Sequence, residues 1–294
     1  MEQARLSFYD EIRKNKIYSV LLMFVVFIIL IAIGYAISYA FDPSYLFFIL
    51  VISIIISILY VWIGYYNSAS ISLSSVNAKP ANPRENRMFY DLVEGLTLAS
   101  GLPMPKLYIM NNPQINAFAS GRDPKNAVVC LTTGALEKLN KQELEGVLSH
   151  ELSHIANYDI RFMTLAAVLV GMIAIISEMF LRSLWMQSNN SDDNKNGGIF
   201  LIIGIVLAIL APILVQLVQL AISRKREFAA DASGVRFTRT PTGLINALTK
   251  IKSNSEMKVS GAVSPLFLAK PNRAMNLFET HPPIEVRIER LRKM

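Results

Sequence analysis

The chain is short of the residues that staple or solvate a soluble domain. Its 294 residues include one cysteine, Cys130, so an internal disulfide and any multi-cysteine metal cluster are excluded. Only 17% of the residues are charged against 52% hydrophobic, and mean hydropathy is +0.38. Apolar content on that scale needs more than one soluble core to hide in. Histidine is scarce, at three residues. No internal repeat and no nucleic-acid motif appears, so the net charge of +7 is read differently. Basic residues that flank apolar spans mark the cytoplasmic side of a membrane.

What the chain does have is long apolar runs. Four segments, roughly Ile17–Phe41, Tyr45–Tyr66, Phe162–Met186 and Gly198–Ile222, each reach the ~20 residues a helix needs to cross ~30 Å of hydrocarbon. The third carries Glu178 and Arg182, four apart and able to pair on one helix face near the span's end. The first run follows a basic leader with Arg13, Lys14 and Lys16, but it is much longer than the ~7–15 residues of a signal-peptide core, so a retained anchor is expected.

Lysine and arginine set the orientation. The leader, the block between spans two and three, and the tail beginning "SRKRE" are basic. The links "DPS" and "QSNNSDDNKNGG" together hold one lysine against three aspartates. The basic side is cytoplasmic by the positive-inside rule. The expected organisation is 1–66, leader and spans one and two; 67–161, a first polar block; 162–222, spans three and four with a short external loop; and 223–294, a second polar block. The two blocks share the cytosolic side and can form one domain.

Within the first block, "NPRENRMFYDLVEGLTLASGL" reads as an amphipathic helix with Asn82 as cap, Pro83 in its first turn and Gly101 as its stop. "KLYIM" and "NAVVCLTT" read as strands, the second burying Cys130, with "NAFASGRDP" as a loop between them. "GALEKLNKQELEGVLSHELSHIANYD" reads as one helix, giving a mixed α+β domain.

That last stretch sets His150 and His154 four residues apart, with Glu151 directly after the first. On a helix, such histidines lie one turn apart on one face and aim at one point, the beginning of a tetrahedral zinc site. Glu151 can take a proton from a water on that metal. This is the His-Glu-x-x-His pattern of zinc peptidases, which at ordinary residue frequencies arises by accident in about 1% of chains this long.

A catalytic zinc needs a third protein ligand. "HIANYDIRF" supplies no histidine, which excludes the metzincin continuation. Glu227 in "SRKREFAADASG" is the favoured candidate, with Asp231 on the same helix face as a partner that orients a histidine. His281 remains the alternative ligand.

With these motifs in hand, the chain resembles the HtpX-type integral-membrane zinc metallopeptidases, the family that includes the CAAX prenyl endopeptidases. "NAFASG", "LSHELSHIANYD", "SRKREFAADASG" and "THPPIEVRIERL" carry the resemblance, in order and with the same placing of spans. It implies a mostly α membrane protein: four transmembrane helices and a cytosolic, zincin-like (gluzincin) protease domain. It implies one zinc per chain on His150, His154 and Glu227, with Glu151 as the catalytic base. It further implies that Asn116, Ala117, Phe118 and Ala119 form an edge strand that pairs with substrate, that His281 steadies the oxyanion, and that Arg287 pairs with Asp231. The expected partners are polypeptide substrates, misfolded membrane proteins among them, and the lipid bilayer. The place is the cell membrane, multi-pass with both termini cytoplasmic, in protein quality control. A membrane amidase and a metal-keeping scaffold are the competing classes. An intact Glu151 argues against the scaffold, which has no use for a base.

Overall fold

The computed structural model describes residues 8–41, 43–169, 171, 224–253, 268 and 282–294. Two long helices open the chain, α1 (Phe8–Phe41) and α2 (Leu46–Ser75), joined by a tight turn. Both contain stretches long and apolar enough to cross a bilayer, Ile12–Tyr35 and Leu46–Ser75. One stripe of α1 is buried, at alternating steps of four and three: Asn15, Ser19, Leu22, Val26 and Ile29. The rest of α1 exposes Ile17, Val20, Leu21, Phe24 and Ile28, and α2 exposes Phe47, Phe48, Ile52, Ile55, Ile56 and Leu59. Continuous apolar surface of that extent is what lipid, not water, covers. α2 runs past the expected end at Tyr66, because the serines that follow stay in helical register. Ser72 Oγ donates to the Ser68 carbonyl one turn back, at 2.9 Å.

The third apolar run is described only at its start. The helical segment that begins at 159 is buried through 162–169. It packs against α1 and α2 in one apolar cluster with Leu22, Val26 and Tyr60. The Tyr60 hydroxyl donates to the Leu169 carbonyl at 2.7 Å, tying α2 to this segment deep in the apolar region. Glu178, Arg182 and the whole fourth run lie outside the described residues.

The polar part is α+β. Strands β1 (Lys79–Pro80), β2 (Lys106–Met110), β3 (Ala117–Gly121) and β4 (Ala127–Thr132) form one sheet in the order β1-β2-β4-β3. β2 and β4 are parallel, while β1 and β3 run antiparallel to their neighbours. Around it stand α3 (Arg87–Ser100), α4 (Thr133–Lys138), α5 (Lys141–Ala156), α6 (Arg224–Thr238), α7 (Thr242–Ser253) and α8 (Ile284–Leu291). Phe89 and Val93, Leu107, Val129 and Leu131, Leu144, Leu148 and Leu152, and Leu244 and Leu248 interlock as its core.

The strands at 106–110 and 127–132 stand where the sequence puts them, and Cys130 is buried. Three details differ. Ala117–Gly121 of "NAFASG" is strand, where the residues alone read as loop and the resemblance implies an edge strand, and β3 forms the edge of the sheet beside β4. α3 begins at Arg87 instead of near Asn82, because the Asn82 side chain accepts from the Arg84 N–H at 3.0 Å and closes a turn first. Its end is as expected: Gly101 sits at φ 72 with its N–H on the Thr97 carbonyl. The helix expected to run unbroken to Asp159 is split at Asn140. There a capping box starts α5 afresh, with Asn140 and Glu143 each accepting the other's backbone N–H.

Candidate active site

α5 positions the centre. Its start is fixed by the Asn140–Glu143 box, and Leu144, Leu148, Leu152 and Ile155 lock its apolar side into the core. Its other side holds His150, Glu151 and His154, all buried. α6 crosses it closely enough that a Cβ on Gly234 would stand 3.0 Å from Ser149 Oγ and 3.2 Å from the His150 backbone nitrogen. The bare glycine lets α6 deliver Glu227 and Asp231, one turn apart, to the histidine face.

The donor atoms converge. His150 Nε2 and His154 Nε2 are 3.2 Å apart. Glu227 Oε2 is 3.6 Å from the first and Oε1 3.5 Å from the second. Two donors each roughly 2.0–2.1 Å from a tetrahedral ion stand about 3.3 Å from one another, so the three side chains already have the spacing of a ligand set. His150, His154 and Glu227 are the group of this kind found among the described residues.

The far nitrogen of each ring is also held. His150 Nδ1 lies 2.9 Å from Asp231 Oδ1, and His154 Nδ1 lies 3.0 Å from Asp159 Oδ2. Such bonds fix the tautomer and turn the other nitrogen towards the centre. Arg287 of α8 closes the far side: its Nη2 donates to Asp231 Oδ1 at 2.6 Å and its Nε to Oδ2 at 3.0 Å.

Charge is strongly biased by this packing. Burial, joined by the Arg287 guanidinium, depresses His150 to about 4, so its ring is neutral and ready to bind metal. Burial also opposes charge on His154, but the Asp159 hydrogen bond and the Glu227 carboxylate outweigh it and raise the ring to about 9. Burial lifts Glu151 to about 7, against the pull of His154 and a backbone N–H from Ala119. Burial likewise acts to raise Asp231, yet Arg287 and His150 bring it down to about 2.

β3 lies beside Glu151. The Thr132 N–H donates to the Asn116 carbonyl, so alternate residues Phe118 and Ser120 face β4 while Ala117, Ala119 and Gly121 face away. Three of the outward groups are engaged within the chain: the Ala117 carbonyl accepts from the Leu268 N–H at 3.0 Å, the Ala119 N–H reaches Glu151, and the Gly121 N–H reaches Thr164 Oγ1 at 3.3 Å.

Of the residues the sequence singles out, His150, Glu151, His154, Glu227, Asp231, Arg287 and Ala117–Ala119 are thus gathered at one centre, with Asn116 leading into β3. His281 lies outside the described residues. Asp159 and Gly234 escaped the sequence reading. The first is a carboxylate just beyond the end of the histidine helix, and the second follows Asp231 by three, a small residue on the same face.

Residues 83–294 match a known family, Peptidase family M48. The chain belongs to that family. Its M48 relatives include a "Protease HtpX homolog" of Thermoanaerobacter pseudethanolicus, 46% identical over 292 residues and covering 97% of each chain. Another of the same description, from Streptococcus uberis, is 40% identical over 97% of this chain and 99% of its own. The crystal structure of S. mikatae Ste24p shares the fold, with a TM-score of 0.50 at 18% identity. The alignment covers 95% of this chain and 65% of that structure. The M48 peptidase described here is a membrane metalloprotease, and its buried His–His–Glu group fits the metal that the family requires.

Proposed function

We propose that the protein is a zinc-dependent endopeptidase held by four membrane spans, which cuts misfolded or damaged membrane proteins at the cytosolic face in protein quality control. The convergence of two imidazoles and one carboxylate on a buried point, with Glu151 alongside, carries this reading. His150, His154 and Glu227 hold the ion, one per chain. Once bound, zinc acidifies a water and polarises the scissile carbonyl. Glu151 takes the water's proton and returns it to the leaving amine. A buried carboxylate near pKa 7 is suited to both tasks at neutral pH. Asp231, itself fixed by Arg287, orients His150, and His281 steadies the charge that develops on the carbonyl oxygen.

An extended substrate adds as a strand along the outward edge of β3, exchanging the Ala117–Leu268 contact for its own. Membrane proteins are the favoured class because one end of that edge contacts the start of the expected third span. Gly121, at its far end, bonds to Thr164, two residues into the expected third span. The polar blocks 67–161 and 223–294 make up the catalytic domain, while 1–66 and 162–222 anchor it. Arg122 over Tyr66 at 4.8 Å and Arg161 over Tyr65 at 5.8 Å support a basic, aromatic rim on the cytosolic side.

The test is incubation of the purified full chain with an unfolded membrane protein, with zinc and after chelation, beside Glu151→Gln. Cleavage that needs both zinc and Glu151 is expected. Cleavage by the chelated protein or by the variant would sink the proposal.

A further inference from the structure

A single amide joins the first membrane helix to the metal centre. Asn15 sits on the buried stripe of α1, only 4% exposed. Its Nδ2 donates to Asp159 Oδ1 at 2.7 Å and to the Asn157 carbonyl at 3.1 Å. Asp159 divides its carboxylate: Oδ1 faces Asn15, and Oδ2 faces His154 Nδ1 at 3.0 Å. Asn157 is the residue that caps the C-terminus of α5. One side chain of α1 therefore holds both the end of the histidine helix and the carboxylate that aims one of its rings.

The surrounding contacts run the same way. Tyr158, between the two acceptors, adopts φ 59, a backbone state that a tyrosine keeps only when its surroundings enforce it. Lys16 Nζ stands over its ring at 4.6 Å, and Tyr18 meets Phe162 at 5.9 Å. Without Asn15, the Asp159 oxygen that faces α1 loses its donor in a place water barely reaches, since Asp159 is 1% exposed. The carboxylate is then free to rotate, and the ring it orients loses its fixed direction.

We propose that Asn15 is a positioning residue for the metal centre: through Asp159 it sets the orientation of His154, so that the ligand set is complete only when α1 is seated against the turn at Asn157 and Tyr158 and the helix start that follows. Asn15 lies outside the stretch 83–294 that matches the peptidase family. The inference rests on the reading of His150, His154 and Glu227 as metal ligands.

Its test uses the full chain in detergent, stripped of metal and titrated with Co²⁺, whose visible d–d bands report ligand geometry, and with Zn²⁺ against a chelator. Asn15→Leu removes the amide at similar volume, and Asn15→Ala serves if that variant does not fold. Leu22→Ala, on the same buried stripe but away from the relay, is the packing control. Loss of a residue that orients a ligand costs about 10–100-fold in metal affinity. Asn15 acts one step further out, so a loss near the lower end, about tenfold, is expected together with altered Co²⁺ bands. Leu22→Ala is expected to melt earlier while keeping parental bands and affinity. Unchanged bands and affinity in the Asn15 variants, or an equal loss in Leu22→Ala, would overturn the inference. A parent chain that takes up no tetrahedral Co²⁺ would instead overturn the reading of the metal site itself.

Discussion

Arg287 of α8 holds Asp231 of α6 by two hydrogen bonds, 2.6 and 3.0 Å long, and both residues are 1% exposed. The same carboxylate holds His150 Nδ1. A buried pair broken from one side leaves an uncompensated charge, typically at a loss of about 3–5 kcal/mol. Arg287→Ala is thus expected to lower thermal stability strongly, and Asp231→Ala to lower zinc affinity by about 10–100-fold. The double variant should be less destabilised than the sum of the singles, because neither charge is left alone. Melting curves and chelator competition measure all three. Strict additivity of the two losses would mean that the pair does not act as a unit.

Much of this centre was legible because helix spacing is short-range. His150, Glu151 and His154 are neighbours in sequence, and Glu227 and Asp231 lie one turn apart, so their faces follow from the 3.6-residue period alone. What joins distant segments was not legible. Nothing local to "RKNKIYS" shows that Asn15 meets Asp159, because that contact depends on how α1 packs, not on its pattern. The break at Asn140 was readable in principle, since Asn140 and Glu143 have capping-box spacing, but the strong apolar period on both sides masked it. β3 is short and its five residues are all buried, so it lacks the polar alternation that marks a half-exposed strand.

Glu151 gives a prediction with a definite sign in pH. Burial raises its carboxyl from the ordinary 4.5 to about 7. A group raised in this way opposes folding only where the unfolded chain ionises it. The penalty is absent below pH 4.5, grows between 4.5 and about 7, and is constant above. At about 1.4 kcal/mol per pH unit it reaches roughly 3.5 kcal/mol as an upper bound. Glu151→Gln keeps an acceptor for the Ala119 N–H and removes the charge. Without metal, the variant should therefore match its parent near pH 4 and be the more stable above pH 7; given zinc, it should still bind the ion yet lose nearly all proteolysis. Denaturation at the two pH values, with metal analysis and a cleavage assay on the same preparation, checks each part. A variant less stable than its parent at pH 8 would refute the electrostatic argument.

The orientation proposed from lysine and arginine predicts labelling. Cys130 is buried and its thiol is pushed up by burial, so Cys130→Ala leaves a background without reactive thiols. A cysteine placed at Ser191, in "QSNNSDDNKNGG", should react with an impermeant reagent added outside intact cells, and one placed at Ser255 should not. Lysis should expose the second. Reaction at Ser255 alone in intact cells would reverse the assignment made from lysine and arginine.

The third ligand can be decided between Glu227 and His281. Glu227 places one carboxylate oxygen within 3.6 Å of each histidine Nε2, which is donor spacing around a shared ion. Glu227→Ala leaves two imidazoles, and a two-ligand site binds weakly. This variant should therefore emerge from dialysis against a weak chelator with little zinc and no activity. His281, if it acts on the developing oxyanion, contributes only when the carbonyl is attacked. His281→Ala should then keep its zinc and lose about 10²–10³ in turnover, or about 3–4 kcal/mol. The two losses differ in kind, since one removes the metal and the other slows a loaded enzyme. Zinc per chain and single-turnover rate, measured on both variants side by side, separate them. Normal zinc in Glu227→Ala with none in His281→Ala would exchange the roles and make the centre a three-histidine site.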